Sequence, residues 1–242
     1  MILAAGMGLR LKPQTDDKPK ALVPVAGVPM LQHIILKMKA AGYTHLTINI
    51  HHFGEQIINF LKANHDFGLT IHISDERKAL MDTGGAVKQA RCFLQGSEPF
   101  LVHNTDIFSN VDLNAMYEAH VRSQALVTLL VNRRPSARQL LFDEANRLRG
   151  WRNHETGQVK SNFPDFDPSH DSEYAFGGVQ VLSPAVFSLL ESWTGKFSLI
   201  DFYLCVCPQH PVCLYTEDFI RIIDAGKQPG LTQAEQEISR QK

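Results

Sequence analysis

The sequence predicts an α/β fold in which a largely parallel sheet is covered by helices on both faces. Three observations carry that prediction. Short β-branched or apolar runs alternate with stretches of helical spacing, as crossover connections require. The 242 residues suit one large α/β domain better than two small ones. A chain of this length also buries roughly 70–75% of its unfolded surface, so its core needs no disulfide or metal staple.

The elements follow in order. Met1 to Ala4 reads as a first strand that runs straight into a glycine-containing turn. Leu31, Ile34, Ile35 and Met38 recur at helical spacing and Gly42 stops them. Residues 46–50 form the next strand, Ile57, Ile58 and Leu61 mark a second helix, 70–73 a strand, and Ala86, Ala90 and Phe93 a third helix. Residues 100–103, 126–131, 176–182 and 220–224 read as further strands, and 200–207 as the apolar end of a helix closed by Pro208, before a strand at 212–215. Between 132 and 173 the pattern loosens into polar, turn-rich sequence. This segment is expected to be an insertion that covers a site or a small subdomain, with a disordered linker as the plainer alternative.

Lys and Arg number 24 against 25 Asp and Glu, a net charge of −1. That balance argues against a general nucleic-acid or anionic-membrane binder, which carries a basic excess. No apolar run approaches the roughly 18–20 residues of a membrane span, and the first residues lack a signal peptide's charged and apolar regions. The expected location is the cytoplasm. Cys205, Cys207, His210 and Cys213 cluster closely enough to suggest zinc. Structural zinc sites, however, use paired knuckles set further apart, so free thiols are the expected state.

The turn after the first strand carries the chemistry. Gly6 and Gly8 let the backbone bend tightly and bring its N–H groups close to an anion. A dinucleotide fingerprint would need glycine where Leu11 stands, and a Walker loop would need Gly-Lys-Ser/Thr. Arg10 follows the turn instead, with Lys18 and Lys20 beyond it. A fixed guanidinium and ammonium beside an amide cradle suit a triphosphate. Asp106 and Asp224 each fall at the end of an expected strand, where open α/β sheets bind ligands; taken singly, each also fits a turn former or helix cap. None of the 11 histidines, His51, His52 and His103 included, sits in a recognisable nucleophile arrangement.

The stretch LAAGMGLRLKPQTDDKPKALVPVAGVPML resembles the signature of the sugar-1-phosphate nucleotidyltransferases, L-A-A-G-x-G-T-R-L-x-P-x-T, P-K-x-L-x-P-V and G-x-P-M. The resemblance implies a three-layer α/β/α Rossmann-like domain with a mixed, mostly parallel sheet. It further implies a single catalytic domain over 1–242, with 132–173 covering the substrate and no β-helix extension, as in the compact uridylyl- and guanylyltransferases for N-acetylmuramate, heptose and mannose 1-phosphates. The first strand is shorter than the family's usual one. The implied reaction moves a nucleotidyl group from a nucleoside triphosphate, UTP or GTP favoured, to a sugar 1-phosphate, in nucleotide-sugar supply for cell-envelope polysaccharide.

By the same resemblance, Arg10 and Lys20 are the catalytic cations. The nucleotide is met by Leu3, Ala4, Gly6, Met7, Gly8, Leu9, Arg10, Lys20, Thr83, Gly84 and Asn104, and the sugar by Asn153 and Gly178. Mg²⁺ is held by Asp106 and Asp224, which match the family's N-G-D and D-x-G-T-P. Trp151 and Phe176 lie on the sugar side or serve as core aromatics. The departures are Leu9 for threonine, Thr105 for glycine, and Lys227-Gln228-Pro229 where T-P is usual. Two rival readings stay open. Trp151, Phe163 and Phe166 would suit the choline of a phosphocholine cytidylyltransferase, and the departures would suit a non-catalytic nucleotide-sensing subunit. Self-association is also left open.

Overall fold

The computed structural model describes residues 1–240. Its elements in chain order are β1 (Ile2–Leu3), β2 (Pro24–Val25), β3 (Val28–Pro29), α1 (Met30–Ala40), β4 (His45–Ile50), α2 (Gly54–Ala63), β5 (Thr70–Asp75), α3 (Asp82–Gln89), α4 (Arg91–Leu94), β6 (Phe100–Asn104), β7 (Ile107–Ser109) and α5 (Leu113–Ser123). There follow β8 (Val127–Asn132), β9 (Arg138–Phe142), β10 (Leu148–Asn153), β11 (Val159–Lys160), β12 (Ser172–Leu182), α6 (Val186–Leu189), α7 (Leu199–Val206), β13 (Val212–Tyr215), β14 (Ile222–Asp224) and α8 (Gln228–Ser239).

The main sheet runs β5-β4-β1-β6-β12-β8-β13. Pairing is parallel from β5 to β6 and again between β8 and β13, while β12 is antiparallel to both its neighbours. The sheet is therefore mixed and mostly parallel. Strand residues alternate between two apolar clusters. Val102, Leu129 and Leu182 meet α3, α6 and α7 on one face, whereas Leu101, Leu130 and Val181 meet α1, α2 and α5 on the other. Burial on both faces explains why these strands read as continuous apolar runs. A third cluster joins Leu11, Val23 and Met30 to Ile223, Ala225 and Leu231, and so ties the segment after the glycine turn to β14 and α8.

β12 connects two regions. Its end, Val179 to Leu182, pairs with β6, but its start, Ser172 to Tyr174, pairs with β9. Between them the register on β8 shifts from Phe176 to Gln180. Gly178 sits in that irregularity at φ 67°, and a Cβ there would lie 2.4 Å from Ile107 Cγ1, so both backbone and space demand glycine. The loosely patterned segment 132–173 is thus an ordered extension, β9-β10-β11, carried on the start of β12.

The helix expected through Ala86, Ala90 and Phe93 is two helices, because Ala90 adopts φ −76°, ψ 4° and ends α3. The strand at 212–215 and the helix before it fall where the sequence placed them. No helix among the described residues is long and apolar enough to cross a membrane.

His120 of α5 is buried, with ring nitrogens 2.9 Å from Thr128 Oγ1 and 3.1 Å from Ser183 Oγ. Burial lowers its pKa from 6.5 to about 4. The unfolded chain takes up this proton near pH 6.5 and the native state only near pH 4, so stability present at pH 7 is lost as pH falls between those values. This group should lower the unfolding free energy by about 1–2 kcal/mol between pH 7 and pH 5. Urea unfolding of His120→Asn should show a slope flatter by that amount; an unaltered slope would assign the loss elsewhere.

Candidate active site

The glycine turn starts where β1 ends. Ala4 N–H donates to Asn49 Oδ1 at 2.7 Å, which fixes the departure of the chain from the sheet. Gly8 is left-handed at φ 67°, and a Cβ on it would lie 2.8 Å from Thr15 Cγ2 and 2.9 Å from Lys20 Cβ. Thr15 Oγ1 donates to its carbonyl at 2.9 Å. The N–H groups of Gly6, Met7, Gly8, Leu9 and Arg10 find no acceptor among the described residues. A run of unsatisfied amides in such a turn has the form of an anion-binding nest. The side chains of Met7 and Leu9 stand out from it, 42% and 62% exposed. The open amides are therefore backbone groups, and the Leu9 side chain stands away from them.

Lys20 passes beneath this turn: its Nζ would lie 3.6 Å from a Cβ on Gly6, and it donates to Asp106 Oδ2 at 2.6 Å. Both side chains are largely buried, 16% and 12% exposed. Asp106 occupies the turn from β6 to β7. The preceding Thr105, fully buried, anchors that turn by donating its hydroxyl to the Leu3 carbonyl at 2.6 Å.

β14 pairs with β7 so that Asp224 faces Ile107, and Ala225 N–H donates to the Asp106 carbonyl at 2.8 Å. Gly226 closes the arrangement. Its N–H donates to Asp224 Oδ1 at 2.8 Å, and a Cβ on it would fall 2.4 Å from Asp106 Oδ2, 2.8 Å from Asp224 Oδ1 and 3.3 Å from Arg10 Nη2. Both aspartates and Arg10 therefore surround one point, although 118 residues separate Asp106 from Asp224. No group of three or more His, Cys, Asp or Glu side chains suited to a metal occurs among the described residues; the two aspartates meet as a pair. Lys227-Gln228-Pro229 opens α8, which buries Leu231 and Ala234.

Leu3, Gly6, Arg10, Lys20, Thr83, Asn104 and Asp106 line one cavity of about 540 Å³, within the range of small-molecule sites. Its opposite wall includes Asn49 and Glu76. Asn49 donates to Glu76 Oε1 at 2.8 Å, and the Met81 N–H donates to Glu76 Oε2 at 3.1 Å. Burial raises the Glu76 pKa, against these hydrogen bonds. A second cavity of about 550 Å³ is lined by Leu140, Trp151, Asn153, Gln158, Lys160 and Phe176 among others, and it shares Asp82 and Arg138 with the first.

Some sequence-derived residues stand behind these walls. Gly84 donates its N–H to the Phe197 carbonyl at 2.9 Å, and a Cβ on it would fall 2.3 Å from that ring; its close approach is to Phe197. Thr83 reaches the cavity, yet its hydroxyl accepts the Leu199 N–H at 2.9 Å. Gly178 lies against Ile107 and Asn104. Asn49, Glu76, Arg138 and Lys196 were not singled out by sequence, Asp82 reads there only as a possible helix cap, and Gly226 enters only as the glycine of the motif around Asp224. Of these, only Gly226, two residues after Asp224, carried a positional signal.

The nucleotidyl transferase family model matches residues 1–140. The N-acetylmuramate alpha-1-phosphate uridylyltransferase of Neisseria meningitidis is 39% identical over 118 residues, covering 49% of this chain and 51% of that protein. Mannose-1-phosphate guanylyltransferase 1 of Arabidopsis thaliana is 30% identical over 198 residues, covering 79% and 51%. The chain spans about half the length of these curated relatives. Among solved structures, UDP-glucose pyrophosphorylase from Acinetobacter baumanii superposes with a TM-score of 0.76 at 18% identity, covering 99% of this chain and 96% of the other, which establishes a shared fold.

Because the Lys20–Asp106 pair is largely out of water, removing one partner leaves a buried charge uncompensated. In urea unfolding, Lys20→Met and Asp106→Asn should each destabilise, and the double variant should cost less than their sum by about 1–3 kcal/mol. Strict additivity would mean that the contact carries no coupling.

Proposed function

From the premise that the chain belongs to the nucleotidyl transferase family, we propose that it transfers the nucleotidyl group of a nucleoside triphosphate, UTP or GTP, to a sugar 1-phosphate. The observation that carries this reading is the pair of adjoining cavities. One is edged by the amide cradle, Arg10, Lys20 and Asp106, and the other has aromatic and amide walls from Trp151, Phe176, Asn153 and Gln158. The relatives, a uridylyltransferase and a guanylyltransferase for sugar 1-phosphates, agree with it.

An oxygen of the sugar 1-phosphate attacks the α-phosphorus, the bond from that phosphorus to the β-phosphate oxygen breaks, and pyrophosphate leaves. The nucleophile is already an anion at neutral pH, so the site needs no strong base; positioning and charge stabilisation carry the catalysis. The free amides from Gly6 to Arg10 would hold the triphosphate oxygens. Lys20 uses one of its three donors on Asp106 and keeps two for the phosphates that must approach one another. Arg10 offers a guanidinium with no side-chain partner among the described residues for the outer phosphates.

The convergence of the Asp106 and Asp224 oxygens around Gly226 fits Mg²⁺, which takes one or two carboxylates together with phosphate oxygens and water. These two residues would hold it, and bound there it would neutralise phosphate charge.

Neither rival gains support. Phe163 stacks beneath Arg149 at 3.9 Å, and the Phe166 ring crowds Gly150; with neither lining the second cavity, the aromatic set for a choline cation is dispersed. The departures that would suit a sensor remove no charge from the cavity. Leu9 faces solvent, Thr105 anchors β1, and Gln228 and Pro229 begin α8.

A pyrophosphate-release screen of nucleoside triphosphates against sugar 1-phosphates, phosphocholine included, tests the reading. Turnover is expected with UTP or GTP and a sugar 1-phosphate. Asp106→Asn should lower kcat by about 10²–10⁴-fold while the far-ultraviolet circular dichroism spectrum is retained. Turnover with phosphocholine alone, or nucleotide binding without any turnover, would replace the reading with one of its rivals.

A further inference from the structure

We propose that Arg138 receives the phosphate of the sugar substrate and so makes the site select a sugar 1-phosphate over the free sugar. The inference rests on the transferase reading given above. Arg138 opens β9 directly opposite Asn153 of β10, and Leu140 lies opposite Trp151 two residues further on. Directly opposed residues of an antiparallel pair share a face, and all four line the second cavity. The hairpin therefore presents an apolar floor, Leu140 and Trp151, ending in a polar edge, Arg138 and Asn153.

That edge borders the first cavity. Apart from Asp82, Arg138 is the only described residue that lines both. A sugar seated on the floor with its anomeric carbon toward the triphosphate has its 1-phosphate at this junction, where a dianion needs a cation. Arg10 and Lys196 line the first cavity only, and the neighbouring cations of the extension are engaged. Lys160 pairs with Asp201 at 2.9 Å, and Arg133, Arg134, Arg149 and Arg152 of the same segment are each engaged with a ring, a carbonyl or a carboxylate.

The Arg138 guanidinium makes no hydrogen bond or ion pair among the described residues, although its backbone is held by Ser136 and by strand pairing. It is an unpaired fork carried on a held backbone, and its geometry suits bidentate phosphate binding. Asp82 brings a negative charge to the same junction, but its Oδ1 accepts the Thr83 N–H at 2.6 Å. Its remaining acceptor capacity suits a sugar hydroxyl.

The test compares wild type, Arg138→Gln and Arg138→Lys, using the triphosphate and the sugar 1-phosphate that wild type turns over. Arg138→Gln should raise KM for the sugar 1-phosphate about ten- to hundredfold and leave KM for the triphosphate within about twofold. Arg138→Lys should recover part of the loss. Calorimetric titration with the same sugar, phosphorylated and not, should show that wild type prefers the phosphorylated form and Arg138→Gln does not. An active wild type whose Arg138→Gln variant keeps its KM, or shifts both KM values together, overturns the proposal and leaves the transferase reading standing. A wild type silent across the whole panel removes the transferase reading itself, and the role of Arg138 falls with it.

Discussion

The contact between the Lys20 ammonium and the Asp106 carboxylate, 2.6 Å long and largely withdrawn from solvent, is the constraint around which the site is organised. It joins the segment after the glycine turn to the β6–β7 turn across 86 residues of sequence. A charge pair so placed is costly unless its geometry is held from all sides, and three independent supports hold it. Thr105 anchors the β6–β7 turn to β1, Thr15 anchors the glycine turn at Gly8, and the third apolar cluster clamps Leu11 and Val23 against β14 and α8. The same cluster brings Asp224 to Asp106. The packing of Leu11 against Ile223 and Ala225 is thus as much part of the site as the charged groups it aligns.

β12 solves the second structural problem, which is how a nearly parallel sheet acquires a second cavity. A strand antiparallel to both its neighbours, bent at Gly178, sends its first residues out of the main sheet to carry β9, β10 and β11. The extension overhangs the carboxyl ends of the parallel strands, where open α/β sheets bind ligands. Its face pattern makes an amphipathic wall there, with Leu140 and Trp151 flanked by Arg138, Asn153 and Lys160. The two cavities adjoin because the bend occurs beside Asn104 and Ile107, next to the turn that carries Asp106.

Much of this was legible in the chain. Strands buried on both faces announce themselves as apolar runs, and the glycine turn with Arg10 and Lys20 is local, so its residues are neighbours in sequence as well as in space. The extension was read only as loosened pattern, because β9 to β11 mix buried Leu140, Leu141 and Phe142 with charged residues without clean alternation, and their pairing partner, the start of β12, comes up to 34 residues later. Gly84 shows a different limit. The glycine was expected at the nucleotide, and its close approach in the fold is to Phe197, 113 residues away, which no local pattern announces. Glu76 and Asn49 escaped notice because a single polar residue at a strand end has no pattern; they gain meaning only by bonding to each other and to Ala4.

By itself the sequence determined the class of fold, the order of most elements and the tight glycine turn with its neighbouring cations, since each depends on periodicity, on backbone freedom at Gly8 or on charges a few residues apart. Only the tertiary structure decided which carboxylates meet, which cations remain unpaired and where the second cavity opens. Those outcomes depend on register between β7 and β14, on the bend in β12 and on a core that joins Leu11 to Ala225. Contacts of that range are set by packing the whole chain at once, and no local stretch of residues encodes them.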